Sequence, residues 1–163
     1  MALMGEYLAI LEFYGSRTAN RSGVPLINHI NEGLYLLQQM GASEIVWRAW
    51  CIHPIVQDNI DIDVSWSRGF NLACEYRAKA NAYLCAPRND WIKTVKDLKR
   101  VVGSISRNCA LMLMADKIQN QKDFRAYHLG IHERSDQLEE YFKLWIVYLT
   151  KILHPRKNPA KTV

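Results

Sequence analysis

Seven consecutive residues, Cys109 to Ala115 (CALMLMA), are apolar, and Asp116 follows at once. A helix carrying such a run is apolar on every face and has to lie inside a helical protein. The run therefore predicts a central, buried helix over Ser104 to about Asn120. It also places a carboxylate at the edge of the core. A buried charge without partners is very costly, so Asp116 needs a metal, a cation or several hydrogen-bond donors. Lys117, Arg107 and backbone amides are the local candidates. Asn120 lies four residues on, on the same helix face. Lys117 is adjacent and is expected to snorkel outward.

The rest of the chain reads as helix wherever it is periodic. Ala2 to Tyr14 places Leu3, Tyr7, Ile10, Leu11 and Tyr14 on one stripe that stops at Gly15. Arg17 to Gly23 is a polar loop. Pro25 suits the first position of a second helix running to about Met40, before Gly41. Ser43 suits the N-cap of a third, through Trp47, Trp50 and His53. Pro54 falls within it or at its end, at a cost of about 3 kcal/mol if interior, and a kink is expected there. Asn59 to Ser65 reads as a loop. Ser67 to Leu84, Trp91 to Val102 and Ser135 to Leu153 read as three further helices. The expected fold class is all-α, with one helical domain over 1–153 and a basic, disordered tail over 154–163.

Composition narrows the function classes. A chain of 163 residues, 49% apolar, can bury a real core. The net charge is +5, but Arg156, Lys157 and Lys161 of the tail supply three of those charges. The body is nearly balanced, too weakly charged to argue for nucleic acid as the main partner, and the basic terminal run is also compatible with small polyanions such as nucleotides. Cys51, Cys74, Cys85 and Cys109 show no Cys-x-x-Cys pairing and sit in apolar runs, so they read as reduced core residues of a cytoplasmic protein. Met1 to Ile10 lacks a basic region and carries Glu6, unlike a signal peptide. Leu144 to Leu153 is interrupted by Lys151 and is too short to span a bilayer, so no membrane partner is expected.

The histidines carry the chemistry. His53 sits among Trp50, Cys51, Ile52, Ile55 and Val56, and His29 within the helix PLINHINEGLYLL. Taken singly, each reads as a core histidine as readily as a ligand. Four stretches change that reading when taken together: RSGVPLINH (Arg21 to His29), WRAWCIHPIVQDN (Trp47 to Asn59), LMADKIQN (Leu113 to Asn120) and EEYFKLWIVYLTKIL near the end. They resemble the R/K-x-G-x-P-Y-I-x-H, A-A-x-L-H-D-x-x-E-D-T and K-L-A-D-K/R-x-x-N segments and the last helix of the HD superfamily. The resemblance is closest to the alarmone hydrolases of the RelA/SpoT type. It covers the chain from about residue 17 to 153 and is most specific in the first and third stretches.

Position by position, the resemblance implies that His29, His53 and Asp116 are metal ligands. It implies substrate contacts from Arg21, Lys117 and Asn120. Asp58 falls on the acid of a Glu-Asp pair that positions the attacking water, with Gln57 in place of the Glu. The second departure is Pro54, which stands where the family has the Asp of its His-Asp pair. Two His and one Asp remain a recognised ligand set, and the implied cofactor is a divalent ion, Mn²⁺ foremost, with Zn²⁺ or Fe²⁺ as alternatives, or none if the site is degenerate. Gln57 can orient a water but cannot take its proton, a role worth a factor of ~10² to 10⁴. Asp58 is the substitute base, although five residues beyond His53 it lies roughly 140° round an ideal helix, unless the Pro54 kink re-aims it.

Weaker signals remain. His128, His132 and Glu133 flank Gly130 and read as a surface turn or, less readily, a metal site. Asp61 and Asp63 read as solvated loop acids. Arg68, Arg77, Lys79 and Arg88 read as a solvated face. Trp66, Phe70, Tyr76 and Tyr83 read as core and interface rather than a base-stacking platform. Two functions are therefore expected in competition. One is a divergent nucleotide phosphohydrolase acting on an alarmone or a deoxynucleotide. The other is an inactive HD-like protein that binds a nucleotide or a protein partner; a homo-oligomer is compatible with either.

Overall fold

A computed structural model describes residues 4–20, 22–58, 62–80 and 94–155, and among the described residues the regular elements are all helices. These form α1 (Met4–Tyr14), α2 (Ile27–Gln39), α3 (Glu44–Asp58), α4 (Phe70–Ala80), α5 (Val95–Val102), α6 (Arg107–Tyr127) and α7 (Ser135–Leu153). The all-α class expected from the periodicity is the one found. Arg21, Asn59 to Asp61, Tyr83, Cys85, Arg88 and the tail beyond Pro155 lie outside the described residues. No helix among the described residues is long and apolar enough to cross a membrane.

The apolar run lies where it was expected, at the centre. Helix α6 is packed by α2, α3, α4 and α7, while α1 lies on α3 and α5 on α7. Cys109 to Ala115 are all buried. The helix starts later and ends later than the run alone suggests. Ser106 caps it, its hydroxyl accepting from the Cys109 N–H at 3.1 Å. Glu75 fixes that cap by accepting from both the Ser106 N–H and its hydroxyl, each at 2.7 Å. The far end is carried on to Tyr127 by Gln121 and Phe124, which keep one face in the core. Thr94 caps α5 in the same way, accepting from the Asp97 N–H.

Two close approaches set the geometry around α3. A Cβ on Gly33 of α2 would meet the Trp50 indole at 2.1 Å, so only glycine lets α2 seat against that ring. The indole N–H donates to the Ile30 carbonyl at 3.1 Å, tying α2 to α3. Helix α3 runs as one element through Pro54, which is buried with its neighbours. Lys117 departs from expectation. It does not snorkel outward but is 3% exposed, because α7 covers that side of α6 with Tyr141 and Trp145.

Candidate functional site

A cavity of about 510 Å³ opens between α2, α3, α4, α6 and α7. His29, His53, Gln57, Asp116, Lys117 and Asn120 line it, six of the eight residues singled out in the sequence. Arg21 lies outside the described residues. Asp58 is exposed at the end of α3 and is not among the cavity residues; its charge acts on Tyr14 instead. Pro54 lies inside α3, which runs as one element to Asp58; Gln57, four residues after His53, falls on its helix face, and Asp58 does not.

The two imidazoles are held from behind. His53 is 2% exposed, with its ring 4.4 Å from Trp50 and 4.9 Å from Tyr76, centroid to centroid. Its Nδ1 lies 2.6 Å from the Trp50 carbonyl oxygen. A carbonyl only accepts, so Nδ1 carries the hydrogen. Burial, with His29 close by, pushes the ring's pKa down to about 3, so the ring is neutral and Nε2 is a bare lone pair. That Nε2 faces Nε2 of His29 at 3.2 Å. His29 is likewise pushed below its usual pKa by burial, against the pull of Asp116 and Asp123. The Gln119 side chain also favours its protonated ring, while the buried Oε1 of Gln119 meets no donor at hydrogen-bonding geometry.

Asp116 is 5% exposed and well supplied with donors. Asn120 Nδ2 donates to its Oδ1 at 2.7 Å, and Lys117 Nζ stands 2.9 Å from Oδ2. Burial, with the Asp116 charge beside it, lifts the Tyr76 phenol well above its usual pKa. Burial alone would raise the Asp116 pKa, but Lys117 outweighs it and holds the carboxyl below its usual range. Burial likewise works against the Lys117 charge, and Asp116 and Tyr141 keep it in place. The ammonium also donates to the Ala80 carbonyl at 3.3 Å and lies over the Tyr141 and Trp145 rings at 5.5 and 5.2 Å. Lys117 is thus the counter-ion of Asp116, not an arm extended toward a ligand.

The cavity has further walls that the motifs did not name. Tyr76, Asp123, Phe124, Leu138, Tyr141 and Phe142 line it, and His128 and His132 stand at its rim. Four of the chain's five histidines therefore border one space. A helical register could have found part of this wall: Asp116, Asn120, Phe124 and His128 recur every four residues.

The fit of a divalent ion follows from these distances. Two nitrogens bound at ordinary lengths to a tetrahedral ion stand roughly 3.3 Å apart, and the two Nε2 atoms are at 3.2 Å. The Nδ1–H of His53 on a backbone carbonyl is also how metal-binding histidines are commonly held. His29 and His53 thus fit as a pair. Asp116 already has both oxygens engaged, and among the described residues no three His, Cys, Asp or Glu side chains form a set around an ion. Further ligands have to be oxygens of water or substrate, or an Asp116 oxygen released by Lys117 or Asn120.

No protein-family model, no curated protein and no solved structure matches the chain.

Proposed function

We propose that this cavity is the site of a divergent, HD-type nucleotide phosphohydrolase, with an alarmone or a deoxynucleotide as the class of substrate. One observation carries the reading. Residues from three distant stretches of sequence, His29, His53 with Gln57, and Asp116 with Asn120, converge on one cavity with two imidazole Nε2 atoms 3.2 Å apart.

His29 and His53 are the residues to hold a divalent ion such as Mn²⁺, with Asp116 the nearest carboxylate. Such an ion supplies positive charge to a phosphoryl oxygen and lowers the pKa of a water. The chain's own groups do the rest. Gln57 reaches the cavity with an amide that can hold a water by hydrogen bonds but cannot accept its proton. Asn120 fixes Asp116 and presents a polar edge beside it. Lys117 keeps Asp116 ionised without leaving the wall. Phe124, Tyr141 and Phe142 offer an apolar side on which a base can lie.

The ion pair between Lys117 and Asp116 favours a second reading. It places a fixed ammonium against the one carboxylate an ion needs, as suits a pocket that binds a nucleotide without hydrolysing it. Metal content and turnover separate the two. The purified chain is offered Mn²⁺, Zn²⁺ and Fe²⁺, bound ion is quantified against a His53→Ala, Asp116→Ala control, and nucleotides are screened for released phosphate. About one ion per chain, lost in the control and accompanied by turnover, supports the hydrolase. Nucleotide binding with neither ion nor turnover supports the second reading. Neither ion nor nucleotide binding removes both.

A further inference from the structure

We propose that Pro54 is a positioning residue: by withholding an amide hydrogen from the Trp50 carbonyl, it gives that carbonyl to Nδ1–H of His53 and so aims the bare Nε2 of His53 into the cavity. In an α-helix the carbonyl of residue 50 accepts from the N–H of residue 54. Proline has no such hydrogen. The carbonyl left over is the one that His53 Nδ1 reaches, at 2.6 Å. Both partners are buried, so water does not compete for either.

The ring is then determined. It can turn neither toward solvent nor over, because Trp50 and Tyr76 pack on it at 4.4 and 4.9 Å. With the hydrogen on Nδ1, the remaining lone pair is on Nε2, the atom facing His29 at 3.2 Å. The residue that removes a carboxylate from the cavity therefore also sharpens the imidazole beside it. This assignment does not depend on hydrolysis; only its consequence for ion binding rests on the function proposed above.

Imidazole ¹⁵N spectra of the intact chain at neutral pH, without metal, test the assignment directly. His53 is expected as a single Nδ1–H tautomer, with a coupling across the hydrogen bond to the Trp50 carbonyl carbon. In Pro54→Ala the new N–H competes for that carbonyl, and a mixture of the two tautomers is expected. In the same variant Mn²⁺ or Zn²⁺ alone should bind about ten-fold more weakly, the range found when a group behind a metal-bound histidine is lost. An Nε2–H tautomer in the native chain, or no coupling to Trp50, overturns the proposal even if the variant fails to fold. A folded Pro54→Ala that stays entirely Nδ1–H overturns the role given to proline. Absence of ion binding in the native chain, with the tautomer as expected, sinks the hydrolase reading and leaves this one standing.

Discussion

Among the described residues two carboxylates are almost fully buried, and their surroundings differ. Glu6 is 1% exposed. Arg48 grips both its oxygens at 2.8 and 2.9 Å, and the Ser67 hydroxyl donates to one of them at 2.9 Å. The same hydroxyl accepts from the Gly69 N–H, and Arg48 continues to Glu44. The cluster joins α1, α3 and the turn before α4, and Glu6 borders no cavity described here. Asp116 is also well paired, by Lys117 and Asn120, yet one side of it opens on a 510 Å³ space with two imidazoles beside it. Burial and pairing thus do not by themselves separate an acid that only ties helices together from one that borders a cavity. What distinguishes them is whether unfilled space and unspent lone pairs remain nearby.

That contrast can be broken experimentally. Lys117→Met should have the largest effect, because it leaves Asp116 charged and unmatched in the core. A loss of about 4 kcal/mol is expected by chemical denaturation. Part of it should return on adding Mn²⁺ or Zn²⁺, about 2.7 kcal/mol at a hundred times the dissociation constant. Glu6→Ala should cost about 3 kcal/mol, since Arg48 keeps some access to solvent, and no divalent ion should restore it. Equal rescue at both sites, or at neither, would erase the distinction drawn here.

Acid should separate the two regions further. His53 is pushed from 6.5 to about 3, so between those values the unfolded chain binds a proton that the folded chain does not. Stability is then full above pH 6.5 and falls as the pH drops toward 3, by up to about 1.4 kcal/mol per pH unit. The Glu6 pKa lies below its ordinary 4.5, where burial is outweighed by Arg48 and Ser67, so its contribution persists to lower pH and is lost only below about that value. Denaturant melts of the metal-free chain across this range should show the first loss, and His53→Gln should flatten it. Asn120→Ala should cost about 1 kcal/mol, one hydrogen bond to Asp116. Asp58→Asn should change neither stability nor turnover; a loss of activity there would return Asp58 to the reaction.

Much of the helical skeleton was legible because glycine, proline and small hydroxyl residues mark its ends. Helix α7 falls on the expected residues, and Gly15 and Gly41 end their helices with positive φ of 53° and 67°. The buried course of α6 follows from seven apolar residues in a row. The fate of Lys117 was not legible, because snorkelling is decided by what covers a helix, and here α7 arrives from 24 or more residues downstream to bury it. Gln57 and Asp58 were separable by register alone, four residues against five from His53. The kink expected at Pro54 left Asp58 in contention, and the cavity lining decides for Gln57. His128 and His132 were read as a turn, and that turn forms the rim of the cavity, a fact of tertiary position that no local pattern encodes.

The placement of Asp116, Asn120 and Phe124 has a consequence for how such a protein can change. All three belong to the helix that is also the centre of the core, so substitutions that retune this wall also disturb the packing of four other helices. The rim at 128–134 carries no such burden: Ile131 is 84% exposed and the backbone there is in turns. Descent and laboratory selection alike have a conservative floor and a permissive doorway to work with. Under the function proposed above, new ligand preferences are most readily acquired at the doorway, while changes to the floor also disturb the fold.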